Sequence, residues 1–139
     1  MSLFVLDTDI LTLLEDGHPV VGNRFLQHPP EDVAITVLSV EEQLSGWYSQ
    51  VRKAKRAERL AWAYRRLTET VGFLAHLRIL TYDERAMQRF EQLRKRKIKI
   101  GRMDLRIAAT VLGYEAILVT RNARDFGRVP GLQIEDWSA

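Results

Sequence analysis

The chain has 139 residues, of which 46% are hydrophobic and 28% are charged; this predicts one globular domain over residues 1–139 and excludes disordered and low-complexity proteins. It has no cysteine, which excludes disulfides, thiol catalysis and thiolate metal sites. The formal net charge is only +3, but residues 52–102 hold sixteen lysine and arginine residues against five acids. No apolar run approaches the roughly 20 residues of a membrane-spanning helix and no signal-peptide pattern is present, so we expect a cytoplasmic protein.

In the first half of the chain, strand-like runs alternate with helical patterns. Residues 3–7 and 33–37 are near-continuous apolar runs, as strands buried on both faces of a parallel sheet require. Ser39 and Glu42 match a capping box, which predicts a helix that begins near Val40. Apolar residues at helical spacing, with arginines mostly off their stripe, then predict an amphipathic basic helix: Ala57, Leu60, Ala61, Tyr64, Leu67 and Val71.

The second half of the chain continues the alternation. Strands are predicted at residues 78–82, 116–120 and 132–134, the last as a short edge strand. Asp83 is the predicted N-cap of a helix between the first two of these strands. The inward side of that helix is predicted to be Met87, Phe90 and Leu93. A buried helix is predicted over residues 103–112, and the whole pattern indicates an α/β fold in which helices cover a parallel sheet.

Acidic and polar residues are expected to meet at one edge of this sheet. Asp7 ends the first strand, Glu42 lies one turn into the helix after the second, and Asp104 opens the helix before the fourth. Further polar side chains follow the fourth strand: Thr120, Asn122 and Asp125. Open parallel sheets bind ligands outside the carboxyl ends of their strands. Because clustered carboxylates repel one another unless a cation is present, the sequence predicts a Mg²⁺ or Mn²⁺ site suited to phosphodiester hydrolysis.

Two groups of motifs resemble those of PIN-domain ribonucleases. The first consists of residues 4–11 (FVLDTDIL) and 35–46 (ITVLSVEEQLSG). The second is similar to the VapC-type toxins of bacterial toxin–antitoxin pairs and consists of residues 104–109 (DLRIAA), 118–126 (LVTRNARDF), 129–132 (VPGL) and 135–137 (EDW). The resemblance covers nearly the whole chain. It implies a three-layer α/β/α fold with sheet order 3-2-1-4-5, Mg²⁺- or Mn²⁺-dependent endoribonuclease activity with tRNA among its targets, a homodimer, and a small cognate antitoxin.

Carried over position by position, the resemblance assigns roles to individual acids. Asp7 would be the central metal ligand, and Glu42 and Asp104 would complete the metal-binding cup. The fourth position is open between Asn122 and Asp125, and we favour Asp125 as a catalytic and metal-binding acid, directly or through water. Supporting residues that would orient ligands or add charge are Thr120, Asn122, Asp9 and Ser39. Asp9 departs from the asparagine that is commoner at its position.

The predicted substrate-binding surface is the basic stretch that closely precedes Asp104. It consists of Arg94, Lys95, Arg96, Lys97, Lys99 and Arg102. A second basic stretch, residues 52–56, is the alternative. The simplest explanation of either stretch is that charged side chains coat exposed helix faces.

Two other functions stay open on the sequence alone. A PIN-like fold without catalysis would bind RNA or a partner protein, although the presence of Asp7, Glu42 and Asp104 argues against it. Asp7 and Asp9 also form a D-x-D pattern that resembles haloacid-dehalogenase phosphatases. That pattern is short, and Leu11 stands where those phosphatases usually have threonine or valine.

Overall fold

A computed structural model describes residues 2–139 and contains one sheet of five parallel strands. The strands are Phe4–Leu6 (β1), Val33–Thr36 (β2), Arg78–Leu80 (β3), Ile117–Val119 (β4) and Gln133–Glu135 (β5). The helices are Thr8–Glu15 (α1), Pro19–Leu26 (α2), Val37–Lys53 (α3), Ala57–Leu74 (α4), Glu84–Lys95 (α5), Arg102–Gly113 (α6) and Ala123–Phe126 (α7), with a 3-10 turn at Pro30–Asp32. The sheet order is β3-β2-β1-β4-β5. The predicted fold class and strand order are therefore confirmed.

The central strands bury both of their faces, which explains their near-continuous apolar sequences. Side chains alternate between the faces of a strand. On β1, Val5 joins a hydrophobic cluster with residues of α5 and α6, whereas Leu6 joins a second cluster with Ile10 of α1 and Leu74 of α4. Helices thus cover the sheet on both sides. No helix among residues 2–139 is both long and apolar enough to cross a membrane.

The predicted start of α3 is wrong by three residues. The helix begins at Val37, and the N-cap is Thr36, whose hydroxyl accepts a hydrogen bond from the Ser39 amide at 3.2 Å. Thr36 and Ser39 are both good N-cap residues, and each is followed by a plausible first turn. Ser39 is instead fully buried, where its hydroxyl contacts Thr8 at 2.9 Å.

The predicted inward faces of two helices also need correction. On α4, the apolar stripe is turned largely outward: Leu60, Tyr64 and Val71 are 37%, 53% and 51% exposed. The buried residues of this helix are Ala63, Thr70 and Leu74. Thr70 can be buried because its hydroxyl donates to Glu15 Oε2 at 2.8 Å. On α5, Phe90 and Leu93 are buried as predicted, but Met87 is 46% exposed.

Candidate active site

Asp7 occupies the carboxyl end of the central strand β1, where its carboxylate is almost completely buried. Its Oδ1 accepts a hydrogen bond from the Ile10 amide at 2.9 Å, so Asp7 is also the N-cap of α1. Its amide donates to the Val119 carbonyl at 3.0 Å, which ties it to β4. Burial raises the pKa of Asp7 to about 6, and repulsion from Asp9 and Asp104 adds to the shift, while hydrogen bonds from Thr120 and Ile10 oppose it. A carboxylate held here at this energetic cost is the strongest sign of a functional site.

Four acidic side chains line one cavity of about 250 Å³ beside this carboxylate. They are Asp7, Asp9, Glu42 and Asp104, and the wall is completed by Thr8, Asn122 and Phe126. Burial raises the pKa of Asp104, and repulsion from Glu42, Asp125 and Asp9 raises it further. The structure therefore brings the three principal predicted acids to the carboxyl ends of the strands. We call this cavity the acidic cup.

A chain of hydrogen bonds fixes Glu42 at the rim of the acidic cup. The Thr8 hydroxyl donates to Glu42 Oε1 at 2.6 Å, and it lies 2.9 Å from the Ser39 hydroxyl. Since Thr8 has only one hydroxyl proton and gives it to the carboxylate, the Ser39 hydroxyl must be the donor to Thr8. Ser39 thus reaches Glu42 only through Thr8, and its supporting role stays a prediction. Thr8 itself was missed, although its place directly after Asp7 could have suggested it.

The polar residues that follow β4 divide between the acidic cup and its surroundings. The Thr120 hydroxyl accepts from the Asn122 amide at 2.9 Å, and Asn122 lines the cup. Asp125 does not line it. Its carboxylate accepts from Asn122 Nδ2 at 3.1 Å and lies 3.5 Å from Arg128 Nη1. Asp125 influences Asp104 by charge repulsion. Its predicted role as the fourth ligand stays a prediction, and in this geometry Asn122 is nearer to the cup.

The donor set of the acidic cup fits a hard divalent cation that keeps part of its water shell. Carboxylate, hydroxyl and amide oxygens are the ligands that Mg²⁺ and Mn²⁺ favour. Within residues 2–139, no three acidic or histidine side chains converge closely enough to ligate one ion together. Mg²⁺ usually binds through one or two carboxylates and retains several waters. The oxygen donors of the cup would suit such an ion.

The residues of the predicted basic stretch have different surroundings, and its role as the RNA-binding surface stays a prediction. Arg94 pairs with Glu91 at 2.8 Å on the exposed side of α5. Arg102 begins α6, only two residues before Asp104, and the Lys99 carbonyl accepts from Arg128 Nη1 at 2.6 Å. Arg96 lines a different cavity. Arg102 is thus the member of the stretch nearest in sequence to an acid of the cup, whereas Arg96 faces another cavity.

Comparison with known proteins identifies the family. No protein-family model matches the chain. The tRNA(fMet)-specific endonuclease VapC of Shigella flexneri is 31% identical over 99% of this chain and 100% of its own length. The chain belongs to the VapC family. Ribonuclease VapC1 of Haemophilus influenzae, another member, is 29% identical over 98% of each chain.

Solved structures agree with this family assignment. The DNA-bound VapBC complex of Salmonella typhimurium contains a chain with a TM-score of 0.82 and 27% identity over 99% of both chains. The VapBC2 complex of Rickettsia felis, bound to a promoter DNA fragment, gives a TM-score of 0.73 at 26% identity. The resemblance seen in the sequence motifs is confirmed, and among the functions considered a VapC nuclease is favoured over a silent binding module or a phosphatase.

Proposed function

We propose that this VapC-family chain is a Mg²⁺- or Mn²⁺-dependent endoribonuclease that acts as the toxin of a toxin–antitoxin pair in the cytoplasm. Residues 1–139 would form the single domain that carries this activity. The observation that supports it best is the acidic cup, where Asp7, Glu42 and Asp104 lie around one cavity and the pKa values of Asp7 and Asp104 are raised. We propose tRNA as the substrate class, because the Shigella relative is named a tRNA(fMet)-specific endonuclease.

Asp7, Glu42 and Asp104 of the acidic cup would hold the metal. Asp125, which lies outside the cup and accepts a hydrogen bond from Asn122, would contribute through water. A bound divalent ion activates water and offsets the negative charge that develops during phosphodiester hydrolysis. The protein's own groups keep the acids in place. The Ile10 amide holds Asp7, and the Thr8 hydroxyl holds Glu42.

We also propose a small antitoxin and a second copy of this chain as partners. The similar solved structures are VapBC complexes. A groove of about 380 Å³ between α1, α3 and α4 continues from the cup, since Thr8 and Glu42 line both. Trp47 and Arg66 also line this groove, so it offers apolar and charged contacts to an antitoxin segment. The exposed side chains of Leu60, Tyr64 and Val71 on α4 supply an apolar patch for either partner.

The proposed function is tested by incubating the purified chain with a tRNA pool and with total RNA, in Mg²⁺, in Mn²⁺ and in EDTA. We expect discrete fragments with either metal and none with EDTA. Asp104→Asn should produce no fragments, which excludes a contaminating nuclease. The exposed Glu58→Gln variant removes the same charge far from the cup and should cut like the parent. Metal-independent cleavage, or equal cleavage by Asp104→Asn, would contradict the proposal.

Replacing Thr8 by valine should weaken metal binding without unfolding the chain. Valine keeps the shape of threonine but cannot donate to Glu42, so this carboxylate loses its orientation at the rim of the cup. Loss of such an orienting hydrogen bond typically lowers metal affinity by about 10- to 100-fold. Titration with Mn²⁺, followed by electron paramagnetic resonance, measures this change.

Thr12→Val is the matched control for this measurement. Thr12 also lies on α1, but its hydroxyl donates to the Thr8 carbonyl at 3.0 Å and makes no contact with an acid of the cup. Its Mn²⁺ affinity should stay close to that of the parent. If Thr8→Val binds Mn²⁺ as tightly as Thr12→Val, Glu42 does not need this hydrogen bond to take part in metal binding.

A further inference from the structure

A second polar cavity, of about 480 Å³, shares no lining residue with the acidic cup. It is formed by one face of α5, the end of α6, the residue before β4 and the beginning of β5. Its polar lining consists of Arg89, Gln92, Arg96, Glu115 and Gln133. Leu93, Leu112 and Pro130 supply an apolar part of the wall. We call this cavity the arginine pocket.

The arginine pocket and the acidic cup open at opposite edges of the sheet. The arginine pocket is lined by residues at the start of two strands. They are Ala116, directly before β4, and Gln133, the first residue of β5. Asp7, which lines the acidic cup, directly follows β1. Because all five strands are parallel, the two cavities are separated by at least the length of a three-residue strand, about 10 Å. Ligands of this fold class bind at the carboxyl edge, so the arginine pocket is not an extension of the expected site.

Arginines outnumber acids in the lining of the arginine pocket. Arg89 lies on α5, and Arg96, seven residues later, is the residue that caps the end of this helix, about 10 Å further along its axis. Within residues 2–139, neither guanidinium forms an ion pair, whereas Arg94 on the same helix is paired with Glu91. The pocket has one acid in its lining, Glu115, so the arginines leave it with net positive charge.

The chemistry of the pocket fits a nucleotide unit. A guanidinium presents a planar set of donors that matches phosphate oxygens. Gln92 and Gln133 can each donate and accept hydrogen bonds, and the Glu115 carboxylate can accept one from a base amino group or a ribose hydroxyl. The apolar wall can contact a base. The volume lies within the roughly 300–1,000 Å³ that is usual for small-ligand sites.

We infer that the arginine pocket binds a phosphate-bearing nucleotide unit of an RNA chain, outside the cleavage site. The inference rests on the proposed function, since an RNA substrate would supply such a unit. A chain long enough to reach from the acidic cup around α5 would contact both edges of the sheet at once. Simultaneous binding at two places raises the affinity for long RNA relative to short fragments.

Binding is tested with the full chain in EDTA, so that RNA stays intact, using the fluorescence anisotropy of a 3′-labelled single-stranded RNA of 20 nucleotides. Arg89→Gln/Arg96→Gln should weaken binding by about tenfold, because two charge-assisted contacts are lost. Gln133→Trp places a large side chain in the lining of the pocket without a change of charge, and it should also weaken RNA binding. The control Arg65→Gln/Arg85→Gln removes two exposed arginines outside the pocket and should change binding by no more than about twofold.

Titration calorimetry with adenosine 5′-monophosphate and with adenosine separates a free nucleotide from an RNA chain as the ligand. We expect the monophosphate to bind the parent and to lose binding in Arg89→Gln/Arg96→Gln, while adenosine binds weakly or not at all. If Arg89→Gln/Arg96→Gln loses monophosphate binding but binds RNA as the parent does, the ligand of the pocket is a free nucleotide and not an RNA chain. If the pocket variants match the control with both ligands, the inference is wrong.

Failure of this inference and failure of the proposed nuclease activity give different results. Cleavage is measured separately with Mg²⁺, using the same variants. Pocket-dependent binding by a chain that cuts no RNA would overturn only the proposed function. If the chain cleaves RNA with Mg²⁺ but the pocket variants bind RNA as tightly as the parent, only this inference is overturned.

Discussion

Asp7→Asn is expected to abolish RNA cleavage and at the same time to stabilise the metal-free protein at neutral pH. Asparagine retains a side-chain oxygen that can accept from the Ile10 amide, so the N-cap of α1 survives. It removes the negative charge that the proposed metal requires, and we expect cleavage to fall by at least about a thousandfold, in line with the several kcal/mol that a catalytic metal contributes.

The stability gain follows from the pKa of Asp7, which is about 6 in the folded chain against an ordinary value of 3.8. The folded state therefore binds this proton more tightly than the unfolded state does. The free energy of unfolding falls as the pH rises from about 4 to about 6, and above that range the penalty reaches roughly 3 kcal/mol. Asparagine cannot ionise, so Asp7→Asn should gain up to this amount at pH 7.5 and almost nothing at pH 4.

Thermal unfolding in EDTA at several pH values measures this difference, with Glu58→Gln as the charge-matched control. Addition of Mg²⁺ should then raise the melting temperature of the parent more than that of Asp7→Asn, because a ligand of the folded state stabilises it. If Asp7→Asn melts at or below the melting temperature of the parent at pH 7.5 without metal, the buried, ionised Asp7 carboxylate does not destabilise the folded chain.

Much of the fold was predictable because buried parallel strands leave a clear sequence pattern. All five predicted strands are present, although each of the first four is shorter than its predicted run by one or two residues. The convergence of Asp7, Glu42 and Asp104 was predictable for a related reason. The carboxyl ends of parallel strands lie at one edge of the sheet, so the side chains that follow them come close together regardless of the loop conformations. Their catalytic roles stay predictions.

Helix orientation was less predictable because an apolar stripe does not specify which face meets the core. On α4, contacts with α1 and α3 decide the orientation, including the Thr70 to Glu15 hydrogen bond and the edge-on packing of Trp62 against Trp47 at 5.5 Å. The position of Asp125 was obscured in a similar way. Its hydrogen bond with Asn122 and its ion pair with Arg128 depend on the local turn at α7, which an R-D-F motif does not reveal.

Trp137→Ala is expected to cause the largest loss of stability, about 3–5 kcal/mol, as is typical for truncation of a fully buried tryptophan. The Trp137 side chain is completely buried although it lies two residues from the end of the chain. It stacks on His28 at a ring separation of 4.8 Å and packs against Phe4 at 5.4 Å. Its Nε1 donates to Glu135 Oε1 at 3.0 Å. The loss should appear as a lower urea midpoint in equilibrium unfolding.

This tryptophan also connects the end of the chain to the acidic cup. The Glu135 carbonyl of β5 accepts a hydrogen bond from the Thr120 amide at 2.8 Å, and the Thr120 hydroxyl lies beside Asp7 and Asn122. Loosening β5 should therefore lower metal affinity as well as stability. Trp137→Phe keeps the stacking but loses the indole donor, and we expect it to recover most of the stability that Trp137→Ala loses.

The partly exposed Trp62 provides the comparison, since Trp62→Ala removes the same side chain from the α3–α4 pair and should cost less. A loss below about 1 kcal/mol for Trp137→Ala would be too small for a cavity of this size. It would mean that the end of the chain is not anchored through this residue. The hydrogen bond from the Thr120 amide to the Glu135 carbonyl would then hold β5 beside β4 without help from Trp137.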